Sequence, residues 1–246
     1  MCSCPLKTGD NYNMALPKLN DTPKYDLVIP STQNKVRYRP FLVKEEKVLM
    51  MALETKDKKK ALEAIVDTVE ACVTDEIDTK KLTTFDVEYM FTQIRSKSVG
   101  ETSKISIKCE DCNSSVEVEV PIENIQIELP KISNIVQITN DISIKMKWPA
   151  YSEMTQFDVE NPSLEDNFKM IGKCIDSVQT AQENLSLKDE SDEEVQSFLE
   201  SLTSEQFKVI GAYMEKMPRL EHTLNYECSK CKTMKERTLS GISDFF

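Results

Sequence analysis

Apolar residues first alternate and then recur at helical spacing. Tyr25, Leu27 and Ile29 alternate with polar neighbours and predict a strand. Pro30-Ser31-Thr32-Gln33-Asn34 reads as a turn, and Val36 and Tyr38 form the returning strand, which Pro40 stops. Helices follow. After the charged start Lys44-Glu45-Glu46-Lys47, the residues Val48, Met51 and Ala52 are expected to share a face. Leu62, Ile65, Val66, Val69, Cys72 and Val73 repeat at helical spacing. Thr83 caps a helix carrying the stripe Val87, Met90, Phe91 and Ile94.

The middle of the chain reads as β. Ile105 and Ile107 alternate into Cys109, and Val116, Val118 and Val120 alternate after Cys112. Cys109 and Cys112 therefore sit at a hairpin tip. Ile142, Ile144, Met146 and Trp148 predict a further strand, ended by Pro149. Helices return with a stripe of Phe168, Ile171, Ile175 and Val178, and Gln179 to Glu194 reads as a solvated acidic loop. Ser191 with Glu194, and Thr203 with Gln206, have the spacing of capping boxes. Phe207, Ile210, Met214 and Met217 line the helix that the second box starts, and Pro218 follows it. Leu220, His222, Leu224 and Tyr226 then alternate into Cys228. No internal repeat of solenoid type is visible.

These elements predict an α+β protein, with helical layers packed around a small antiparallel β module. Residues 1–20 lack periodicity and are expected to form an extended arm, followed by a single α+β domain over 21–246. Its helical parts are placed at about 44–98 and 160–217, and its β part at about 101–148 and 219–240.

Cysteine spacing adds chemistry. Cys109-Glu110-Asp111-Cys112 and Cys228-Ser229-Lys230-Cys231 are two Cys-x-x-Cys knuckles, each entered from a strand. Zinc in a structural site takes four ligands in a tetrahedron, and thiolates suit it. One zinc ion held by Cys109, Cys112, Cys228 and Cys231 is therefore expected, as a tie and not a catalyst. Two competing readings are reduced thiols in ordinary turns, and a thiol redox enzyme using one Cys-x-x-Cys pair. The redox motif belongs at the start of a helix next to a strand. Cys72 and Cys174 fall in helical patterns and read as core residues, while Cys2 and Cys4 lie in the arm.

Charge narrows the partners. The net charge of −11 repels phosphate backbones, so nucleic acid is not an expected partner, and a zinc-containing nucleic-acid binder is disfavoured. Neither a membrane span nor a signal-peptide core is seen. His222 is the only histidine, no nucleophile motif accompanies it, and no phosphate loop is present, so no enzyme is expected. Arg37, Tyr38 and Arg39 place two guanidinium groups beside an aromatic ring, a composition common at binding surfaces.

The stretch Lys35-Val36-Arg37-Tyr38-Arg39-Pro40-Phe41-Leu42-Val43-Lys44-Glu45-Glu46-Lys47 resembles the baseplate hub proteins of T-even-like bacteriophages. Phe91-Thr92-Gln93-Ile94-Arg95-Ser96-Lys97-Ser98-Val99-Gly100-Glu101 is similar to the same family, as are the closing Leu239-Ser240-Gly241 and Phe245-Phe246. The resemblance spans about Leu16 to Phe246. It implies a protein that helps build the tail baseplate in the host cytoplasm by binding other hub proteins. The length suits the hub-assembly branch better than the shorter hub-subunit branch that stays in the virion. Arg37, Tyr38, Arg39, Phe245 and Phe246 are the expected partner contacts. The oligomeric state is left open.

Overall fold

A computed structural model describes residues 22–55, 57–157, 163–188 and 190–245. The proposed arm, residues 1–20, and Phe246 lie outside them. Among the described residues are seven α-helices and ten strands, and every strand pairing is antiparallel, so the chain is α+β.

The first unit comprises β1 (Tyr25–Val28), β2 (Lys35–Tyr38), α1 (Val43–Glu54), α2 (Lys58–Cys72) and α3 (Thr84–Ser98). Its core gathers Leu27, Ile29, Val36, Tyr38, Leu49, Ile65, Val69, Cys72 and the expected stripe Val87, Met90, Phe91 and Ile94. After α2 the chain returns to β2, where Thr74 N–H donates to the Arg37 carbonyl at 2.8 Å.

The face expected for α1 is corrected. Glu45 and Leu49 are buried there, while Val48 and Met51 are exposed. The cause is an ion pair. Arg39 Nη2 lies 2.9 Å from Glu45 Oε1 and also donates to the Ala71 carbonyl at the end of α2. Glu45 Oε2 accepts from Leu42 N–H at 2.8 Å. A buried carboxylate must be paired, and this pairing turns the Glu45 side of the helix inward.

A second unit holds a four-stranded sheet in the order β5 (Ile135–Gln137), β6 (Ile142–Met146), β7 (Ile175–Thr180), β8 (Asn184–Ser186). The single turn α4 (Tyr151–Met154) precedes α5 (Leu164–Lys173), and α6 (Asp192–Glu200) and α7 (Ser204–Met214) follow the sheet. Ile144, Met146, Ile175, Val178, Leu199 and Ile210 fill its core. Both expected capping boxes form, with Ser191 and Thr203 accepting from the N–H of Glu194 and Gln206. Ile175 and Val178 belong to a strand and not to the helical stripe with Phe168 and Ile171. Their spacing is compatible with a helix, but pairing with β6 decides otherwise. The acidic segment expected to be wholly loop contributes the edge strand β8 and the first turn of α6.

The central unit is made of two matching pieces. β3 (Thr102–Lys108) pairs with β4 (Ser115–Pro121) over seven residues each, and β9 (Glu221–Glu227) pairs with β10 (Met234–Ser240) over seven each. Each hairpin ends in a 3-10 turn, Ile122–Asn124 or Ile242–Asp244, and then a buried side chain, Ile125 or Phe245. The base of each hairpin is closed alike. Ile122 N–H donates to the Glu101 carbonyl, and Gly241 N–H to the Leu220 carbonyl. Each is also preceded by a helix that opens on a threonine capping box, Thr83 with Asp86 and Thr203 with Gln206. The similarity lies in spacing and hydrogen bonding, which explains why the residues themselves reveal no repeat.

Two carboxylates of α3 tie the helix to its neighbours, Asp86 within the first unit and Glu88 to the central one. Asp86 is fully buried and accepts from Ser31 N–H, Ser31 Oγ, Thr83 N–H and Thr83 Oγ, holding the β1–β2 turn against the helix. Glu88 accepts from the N–H of Ile242 and Leu220 at the base of the last hairpin, and burial pushes its pKa up to about 7. A carboxylate with a raised folded pKa contributes stability fully below about pH 4.5, and loses it as pH rises through about 7. Replacing Glu88 by Gln is therefore expected to raise stability at pH 8 relative to the parent, by up to about 3 kcal/mol. That gain should shrink towards zero near pH 4.5. Urea titrations of parent and variant at several pH values measure it.

A candidate metal centre at two hairpin tips

The two knuckles occupy the turns of the matching hairpins. Cys109 N–H donates to the Ser114 carbonyl and Asn113 N–H to the Cys109 carbonyl, both at 2.8 Å. Cys228 N–H donates to the Thr233 carbonyl at 3.0 Å, and Lys232 N–H to the Cys228 carbonyl at 2.9 Å. The β1–β2 hairpin has the same turn, from Ile29 to Asn34. In all three, the residue before the last is left-handed: Gln33 with φ 58°, Asn113 with φ 54° and Lys232 with φ 60°. The cysteines thus use a turn already favoured in this fold, at the places filled by Ile29 and Thr32 in the first hairpin.

The turns face each other. Cys109 Sγ lies 3.7 Å from Cys231 Sγ, and Cys112 Sγ lies 3.6 Å from Cys228 Sγ. All four sulfurs are within 4.8 Å of one another. Cys109 and Cys228 are buried, Cys112 is half-buried and Cys231 is exposed. Lys235 Nζ bonds Asp111 Oδ1 at 2.8 Å across the two hairpins. Beneath the sulfurs, Ile107, Val116, Val120, Leu220, Leu224, Tyr226 and Leu239 form a common core.

This geometry fits a four-coordinate metal. Bonds of about 2.3 Å in a tetrahedron put sulfurs about 3.8 Å apart. The surrounding donors also favour thiolates. Backbone N–H groups of Cys231 and Lys230, with Ser114 Oγ, stabilise the Cys228 thiolate and hold its pKa down to about 5. Cys109 accepts from the N–H of Cys112 and Asp111, yet burial, and after it the nearby sulfurs of Cys228 and Cys231, push it up to about 11. Such a cluster resists carrying several negative charges at once, and a divalent cation at its centre removes that conflict. Ser114 was not anticipated; its only signal was its place two residues after Cys112.

The other candidate residues separate by burial. Cys72 and Cys174 are buried, as expected of core residues. Tyr38 and Phe245, expected as partner contacts, are core residues instead, with 2% and 0% exposure. Tyr38, the last residue of β2, turns into the core and donates its hydroxyl to the Gln93 carbonyl of α3 at 3.4 Å, and the Phe245 carbonyl accepts from Ser103 Oγ at 2.7 Å. Arg39 is committed to Glu45 and is largely covered. Arg37 is exposed and pairs with Asp75 at 2.7 Å. His222 is half-buried on β9, in register with Leu239.

Fold and site together define an α+β protein whose middle and end are brought together at a four-cysteine centre. The family model described as "T4 bacteriophage base plate protein" matches residues 22–246, and the chain belongs to that family. No curated protein and no solved structure shows a significant match. Membership makes it a phage baseplate protein, with other baseplate proteins as its partners. Among the described residues no helix is long and apolar enough to cross a membrane.

Phe245→Ala empties a fully buried site in the core under the sulfurs. It is expected to cost about 3–5 kcal/mol of stability in chemical denaturation.

Proposed function

We propose that residues 21–246 act as one α+β unit that promotes construction of the baseplate hub by binding other hub proteins. Its place of work is the cytoplasm of the infected host. One structural zinc ion, held by Cys109, Cys112, Cys228 and Cys231, pins the middle of the chain to its end. The convergence of four sulfurs within 4.8 Å carries the zinc reading, and the family match over residues 22–246 carries the baseplate reading. Four thiolates fill a tetrahedral shell and leave no position for a reacting water, so the metal is a tie and the protein is not an enzyme. The knuckles lie in hairpin turns rather than at a helix start, which argues against thiol–disulfide exchange. Arg37 is the partner-facing residue in this reading, because its side chain remains exposed beside Asp75. A subunit that stays in the virion is the second reading, favoured by the family's description as a base plate protein.

Purified protein is expected to carry about one zinc per chain by elemental analysis. Cys109→Ser and Cys228→Ser should each remove most of the metal and lower the melting temperature by about 10 °C or more. Undiminished stability with four freely titrating thiols would reject the zinc tie.

His222→Ala should leave tail assembly intact, whereas Arg37→Glu should reduce co-purification with hub proteins from infected cells at unchanged fold. Mass spectrometry of purified virions separates an assembly factor, which is absent, from a hub subunit, which is present.

A further inference from the structure

Among the described residues, no other helix or strand exposes as many large apolar side chains as α1. Val43, Val48, Met50, Met51 and Leu53 are each between 50% and 78% exposed. Five of the thirteen exposed large apolar side chains among the described residues thus fall on one 12-residue helix. The helix is held by its opposite side, through Glu45 and Leu49. Leaving so much apolar surface in water is unfavourable, and exposed apolar side chains gathered on one element mark contacts between proteins.

The charges in the patch identify the partner. Val43, Lys47, Met50, Met51 and Glu54 fall at i, i+4, i+7, i+8 and i+11, which places them in one stripe. Lys47 and Glu54 are both exposed, and neither forms an ion pair with another described residue. They are equally distant from the midpoint between Met50 and Met51. A two-fold axis through that midpoint, crossing two antiparallel copies of α1, therefore brings Lys47 of each copy level with Glu54 of the other. The four methionines meet at the centre, and the pattern is self-complementary, as an isologous contact requires. A chain of net charge −11 repels its own copy elsewhere, so pairing needs a place where the charges match.

We propose that the exposed stripe of α1 is the contact between two copies of this chain, packed antiparallel about Met50 and Met51. This goes beyond the baseplate reading and does not depend on the metal. Methionine suits the centre of such a contact because its side chain adapts to the facing surface.

Sedimentation equilibrium of the full chain tests it. A dimer is expected at micromolar protein, and Met50→Asp should convert it to monomer with an unchanged far-ultraviolet circular dichroism spectrum. Lys47→Glu and Glu54→Lys, made separately, should each weaken the dimer about tenfold, since each reversal changes two pairs. The double variant should return to within about threefold of the parent. A parent that stays monomeric at about 100 μM overturns the proposal, as does a dimer indifferent to Met50→Asp or a double variant no better than the singles. A monomeric parent whose Met50→Asp variant no longer captures another baseplate protein assigns the helix to a different partner, and also overturns it.

Discussion

Convergence of the two cysteine knuckles is the constraint on which the central unit depends. Cys109 and Cys231 are 122 residues apart, and Cys112 and Cys228 are 116 apart. Closing a loop of that length costs roughly 4 kcal/mol of chain entropy. Four sulfurs brought together also oppose one another as they lose protons. The apolar residues beneath them offset part of this cost. Ile107, Val116, Val120, Leu224 and Leu239 come from both hairpins, and neither pair of strands could bury them alone. A metal ion on the sulfurs and a dry core beneath them would act on the same interface, so each strengthens the other.

Buried carboxylates do comparable work away from the sulfurs. Glu45 fixes the rotation of α1 through Arg39, and Asp86 secures the β1–β2 turn to α3 by accepting two hydrogen bonds from Ser31, while two more from Thr83 cap the helix. Glu88 reaches from the same helix to the last hairpin. Helix α3 is therefore in contact with both the first turn of the described chain and its final 3-10 turn. In each case an acidic group that would be cheap to leave in water is placed where only specific donors make it tolerable. Such groups specify how elements meet, a task that non-directional apolar contacts perform poorly.

The surface left over fits a protein of assemblies. The core takes up Tyr38 and Phe245, the aromatic residues that composition alone would place at an interface. The largest group of exposed apolar residues on any one helix or strand falls on α1, interspersed with the exposed charges of Lys44, Glu46, Lys47 and Glu54. Membership of a baseplate family gives such a surface a context, because baseplate proteins function by contact with one another.

Much of this was legible in the residues. Alternation gave β1, β2, β3, β4, β6 and β9, since a half-buried strand must point every second side chain inward. Capping residues gave the starts of α3, α6 and α7, because a helix end needs a side-chain acceptor wherever the chain is. The knuckle spacing gave all four sulfurs of the centre. What failed to show were features settled by distant partners. β10 reads Met234-Lys235-Glu236-Arg237-Thr238-Leu239-Ser240, with almost no apolar alternation, and is a strand because β9 lies beside it. Ile175 and Val178 match a helical period but are drawn into a sheet by β6. The inward side of α1 was set by Arg39, and the burial of Tyr38 and Phe245 by the helices and hairpins that close over them. Local periodicity and capping are properties of a short stretch and can be read from it. Burial, strand pairing and charge partnership belong to two stretches at once, and only the folded chain decides which two.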